Sequence, residues 1–70
     1  MNRFMDYLLE DCEKQDAYGR QTSTGMWIFV IRTSEGTRTV TFPKTPETES
    51  EGTELVNELR GFGLTFPYGS

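Results

Sequence analysis

Apolar residues recur at three- and four-residue intervals at the start of the chain. Met1, Phe4, Met5, Leu8, Leu9 and Cys12 fall on one stripe, as in an amphipathic helix. Asn2 suits the cap position at its start, and Gly19 suits a left-handed stop beyond its end. On the opposite side Asp6, Glu10 and Glu13 stand at i, i+4 and i+7 and form an acidic ridge. The period then changes. Residues 26–33 are rich in β-branched and aromatic side chains and residues 37–42 alternate, so two strands are predicted, joined through Ser34-Glu35-Gly36. A two-residue type I′ loop would force Glu35 to positive φ, whereas a three-residue loop with Gly36 left-handed avoids that strain. In that register Thr33 pairs with Thr37, Val30 with Val40 and Ile28 with Phe42. One face then carries Met26, Ile28, Val30, Val40 and Phe42, and the other carries Trp27, Phe29 and Ile31 beside threonines. A slip of one residue exchanges the two faces.

Pro43 closes the second strand, because it cannot continue a central ladder. A second helix follows, capped either by Thr45 with Pro46 at its first position or by Ser50 with Gly52 in its first turn. Both starts lead to inward-facing Leu55, Val56 and Leu59, a stop at Gly61, and Phe62 packing back. The apolar tail, residues 64–68, has room to add a short third strand or to drape over the second sheet face. The expected fold is α+β: a small α-β-β-α domain spanning residues 1–70, a hairpin packed by two helices, with a short C-terminal third strand as an option.

Length and composition narrow the function. A chain of 70 residues buries only about 60% of its unfolded surface, so its core is small. One cysteine and no histidine exclude an internal disulfide and the usual zinc patterns. The longest apolar run, residues 26–31, is six residues against the ~20 a membrane-spanning helix needs. The start of the chain lacks the pattern of a signal peptide, so a cytoplasmic protein is expected. Without histidine the commonest acid–base group near neutrality is missing. Cys12 lies within the apolar stripe among acids, which raise a thiol pKa. No metal-ligand or dinucleotide pattern is present, since Gly61-Phe62-Gly63 lacks a preceding strand and a third glycine. A non-enzymatic protein without cofactor or metal is expected.

Charge points to a partner. Eleven acids against seven bases give −4, unevenly distributed. Residues 1–18 and 45–70 are acidic, while Arg20, Arg32, Arg38 and Lys44 make the centre basic. If residues 46–60 are helical, Glu47, Glu51, Glu54 and Glu58 align within about a sixth of the circumference over ~16 Å of axis. With Asp6, Glu10 and Glu13 they make rows of negative charge, comparable in kind to a nucleic-acid backbone. These seven residues are the expected contact set for a basic partner, such as a DNA-binding protein, with the chain acting as an inhibitor or regulator by nucleic-acid mimicry. In style, a tiny acidic chain without a catalytic motif looks like the accessory proteins of phages and mobile elements. Two other readings stay open. Trp27 and Phe29, ringed by the arginines, offer a platform for stacking single-stranded bases. Trp27, Phe29 and Ile31 also offer a self-association face for a homodimer, because a two-stranded sheet needs a cover.

Overall fold

The structure is a computed structural model and describes residues 2–67. Its elements run α1 (Asn2–Glu13), β1 (Ala17–Gln21), β2 (Trp27–Thr33), β3 (Gly36–Phe42) and α2 (Glu49–Arg60). The three strands form one antiparallel sheet in the order β1-β2-β3. This is the expected small α+β domain, with its third strand between α1 and the hairpin instead of at the C-terminus.

The first helix buries the expected stripe: Met5, Leu8 and Cys12 are inside, with Phe4 and Leu9 packed against them. The expected positions Met1 and Tyr68 and the capping side chain of Asn2 lie outside the described residues. Gly19 does not stop the helix. The chain leaves α1 at Lys14–Asp16, where Gln15 N–H donates to Cys12 O and Asp16 N–H to Glu13 O. Asp16 takes φ +63°, a left-handed conformation that Asp tolerates better than most residues. The strand that follows, Ala-Tyr-Gly-Arg-Gln, has only Ala17 fully buried, so it carries no alternating hydrophobic signal to announce it.

The hairpin takes the slipped register. Thr33 pairs with Gly36, Phe29 with Val40 and Trp27 with Phe42, leaving a two-residue loop. Glu35 escapes the strain anticipated for such a loop because Gly36, the first residue after it, takes φ +122°. Thr33 Oγ1 supports the turn, donating to Gly36 O at 2.6 Å and accepting from Glu35 N at 3.2 Å. The β2 residues exchange faces accordingly, while Val40 and Phe42 stay on the core face as expected. Phe29, Ile31, Val40, Phe42 and Ala17 point into the core, and Ile28 and Val30 point away from it. This register buries Phe29 and Ile31 beside Val40 and Phe42, where the other alignment would have set Ile28 and Val30.

Two expectations built on the other register fall with it. Phe29 and Ile31 are 0% and 1% exposed and Trp27 is half-buried against the core, so the three are not an open self-association face. For the same reason Trp27 and Phe29 are not an open stacking platform. Their rings stack on each other at 6.1 Å, and Trp27 Nε1–H donates to Thr45 Oγ1 at 2.8 Å.

α2 begins at neither expected cap. Thr48 is the cap residue, extended, with Oγ1 accepting from Glu51 N at 3.1 Å. Gly52 is buried in the first turn and Pro46 is buried ahead of it. Gly61 does end the helix, donating its N–H to Asn57 O and Glu58 O. Phe62 is exposed and does not pack back; after Gly63, at φ +101°, Leu64 and Phe66 enter the core instead. Residues 64–66 form no strand. They are held by Gln15, which clasps the backbone of Thr65 from both sides.

All buried strand residues belong to one sheet face, and the buried residues of both helices join them in a single cluster. Both helices therefore cover the same face. The molecule measures 32 × 30 × 17 Å, the short axis being one helix layer on one sheet layer.

Candidate functional site

Because α1 and α2 share a sheet face, their outer sides form one surface. On α1 this side shows Arg3, Asp6, Tyr7, Glu10 and Glu13, with Lys14 just past its end, all exposed. Asp6, Glu10 and Glu13 keep the spacing predicted for them, within ~60° of one another over roughly 10 Å of axis. Tyr7, 56% exposed, sits among them. On α2 the exposed carboxylates are Glu49, Glu54 and Glu58. Among the described residues, none of Asp6, Glu10, Glu13, Glu54 and Glu58 makes an ion pair or a side-chain hydrogen bond. Six carboxylates thus stand against Arg3, Lys14 and the half-buried Arg60 on this layer.

The other half of the predicted stripe is used differently. Glu47 precedes the helix and so does not align with Glu51, Glu54 and Glu58. Glu51 is turned back on the chain: Oε1 accepts from Glu47 N at 2.8 Å and Oε2 meets Lys44 Nζ at 3.1 Å. Lys44 also reaches Glu47 at 3.7 Å. With Thr48 accepting from Glu51 N, this is a reciprocal cap in which Thr48 and Glu51 each satisfy an N–H at the helix start. The Glu47 N–H bond, and then Lys44, hold the Glu51 carboxyl below its ordinary range. The same contact to Glu51 holds the Lys44 ammonium above its ordinary range. Glu51 therefore serves the fold and is paired at home by Lys44, which Glu47 approaches more loosely.

Sequence spacing missed Tyr7 and Glu49. Tyr7 sits one position off the apolar stripe, which marks it as outward-facing once the helix is granted. Glu49 became visible only with the cap at Thr48.

Cys12 is buried, and burial first, then the charge of Asp11, pushes its thiol up to about 11. It is a protonated core residue at neutral pH. No group of three or more Asp, Glu or Cys side chains among the described residues is arranged to hold a metal ion. No described helix is long and apolar enough to cross a membrane.

The chain matches no family model, no curated protein and no solved structure.

Proposed function

We propose that the chain is a small, non-enzymatic, cytoplasmic binding protein, an inhibitor or regulator that presents its helix layer to a basic partner such as a nucleic-acid-binding protein. Asp6, Glu10, Glu13, Glu54 and Glu58 are the contact residues. One observation supports this reading: two helices packed on the same sheet face carry five exposed carboxylates that form no ion pair among the described residues. Like charges at i, i+4 cost a helix a few tenths of a kcal/mol each, and a surface needing only solubility would interleave lysines. Exposed charges of one sign steer an oppositely charged partner and set its orientation more than they add affinity.

The test is capture of basic proteins from a bacterial lysate by the immobilised chain, set against Glu54→Lys/Glu58→Lys and Asp6→Lys/Glu10→Lys. These residues stand clear of the cap, so the variants keep the fold. Capture that is lost above about 0.3 M salt and abolished by the reversals supports the reading. Capture unchanged by the reversals leaves the carboxylates as solvation only.

A further inference from the structure

The sheet face away from the helices is uncovered. By strand parity it carries Tyr18 and Arg20 of β1, Ile28, Val30 and Arg32 of β2, and the threonines of β3. At its centre Tyr18, 50% exposed, pairs with Val30, 36% exposed. Arg20 pairs with Ile28. Asp16, just before β1, accepts Arg32 N–H at its carbonyl and the Tyr18 hydroxyl at Oδ1, 3.4 Å, which places its carboxylate at the same edge. Along β1 the order is therefore acid, aromatic, base, at two-residue steps of about 6.6 Å. Among the described residues neither Asp16, Arg20 nor Arg32 forms an ion pair.

We propose that this face seats a second copy of the chain, each strand lying antiparallel over its own counterpart. A two-fold axis along the Tyr18–Val30 row sets Tyr18 on the copy's Tyr18 and Val30 on the copy's Val30. It also brings Arg20 over the copy's Asp16 and Asp16 over the copy's Arg20. Such an isologous contact makes every interaction twice. Sheets pack face to face at about 10 Å, with strands some 30° off alignment, a gap that tyrosine and arginine side chains span. An axis along the strands would instead lay Arg20 and Asp16 over the threonines of β3, pairing no charges. A polyanion is a poorer occupant, because Asp16 stands at the edge of the face and the chain carries −4. The proposal is independent of the acidic helix layer, which faces the other way.

Sedimentation equilibrium of the chain from about 1 µM to about 1 mM tests this directly. The expected result is a dimer of twice the 8.0 kDa chain mass. Val30→Glu sets like charges on the axis and abolishes it. Arg20→Glu and Asp16→Lys, each alone, replace two attractions by two repulsions and weaken the dimer about tenfold or more. An equimolar mixture of those two variants restores it. In the mixed dimer the introduced glutamate faces the introduced lysine, and the unaltered Asp16 of one variant faces the unaltered Arg20 of the other. That recovery also shows that both variants fold. A chain that stays monomeric at the highest concentration overturns the proposal, as does a dimer indifferent to these substitutions. Saturable binding of an oligothymidylate that is lost in Tyr18→Ala, with the chain monomeric, overturns it in favour of a nucleic-acid face.

Discussion

A Cβ built on Gly19 would lie 2.5 Å from Phe29 Cε2, 2.7 Å from its Cδ2 and 2.8 Å from Leu9 Cδ2. Phe29 is fully buried and paired directly across from Gly19, so the ring has nowhere to go. Gly19→Ala is therefore an overpacking substitution, expected to cost about 1–3 kcal/mol and visible as a lowered urea midpoint with the slope unchanged. In the sequence Gly19 has the look of a helix stop, because a glycine beyond an amphipathic stripe is the ordinary sign of a helix end. Nothing local distinguishes a glycine that turns the chain from one that makes room for a ring across a strand. The turn belongs to Asp16 at positive φ, a residue in which the sequence shows only another acid. Cys12 was legible, since its place on the stripe implied burial and its acidic neighbours implied a raised pKa. With its thiol at about 11, Cys12 is expected to react with a thiol reagent at pH 8 only as fast as the chain opens. Labelling native protein as quickly as urea-unfolded protein would contradict its placement.

At the scale of the elements, α2 shows how a helix start is chosen. Thr45, Thr48 and Ser50 are all competent caps, and Glu lies three residues beyond Thr48, as a reciprocal cap requires. What decides among them is tertiary. Thr45 is engaged by Trp27 Nε1–H and Gln21 Nε2–H, and Pro46 is buried, so the chain is fixed until Thr48. Those partners lie far away in sequence, which is why the start was not legible while Leu55, Val56 and Leu59 were. Thr48→Ala should cost about 1 kcal/mol in thermal or urea unfolding. Glu51→Gln keeps an acceptor oxygen but removes the charge opposite Lys44, and its effect should depend on pH. The folded state depresses the Glu51 pKa from 4.5, so its stabilisation is complete above that value and is lost as the pH falls through the lower, folded one. The unfolding midpoints of wild type and Glu51→Gln are expected to differ at neutrality and to converge well below pH 4.5. A constant separation down to acid pH would mean that the carboxylate charge is not what stabilises the cap. The hairpin register followed the same logic: the loop rule favoured one alignment, and the burial of Phe29 and Ile31 beside Val40 and Phe42 selected the other.

For the molecule as a whole, the difficulty is closing a small core without an internal disulfide. Thirteen apolar residues are buried among the described ones, and two of them, Leu64 and Phe66, belong to no helix or strand. They are held from fifty residues away. Gln15 Nε2–H donates to Thr65 O at 2.8 Å, and its Oε1 accepts from Thr65 N at 2.9 Å and from Thr65 Oγ1 at 3.1 Å. Arg60 adds a donor to Phe66 O at 2.9 Å. An amide side chain can mimic a strand's donor and acceptor in this way, which seals the tail without a ladder. The apolar tail was legible as a cover, but its site was not, because one glutamine among polar neighbours gives no hint of such a clasp. Burying Leu64 and Phe66 stabilises the fold by roughly 1.5–3 kcal/mol each, as much as a core of this size supplies in total, about 3–5 kcal/mol. A chain ending at Gly63 is therefore expected to lose cooperative unfolding by circular dichroism. Gln15→Ala is expected to leave the fold intact while the amide of Thr65 exchanges with solvent much faster than the amides of β2. If the shortened chain unfolds as cooperatively as the full one, the two helices and the sheet suffice alone, and the tail is a passenger on a core already closed.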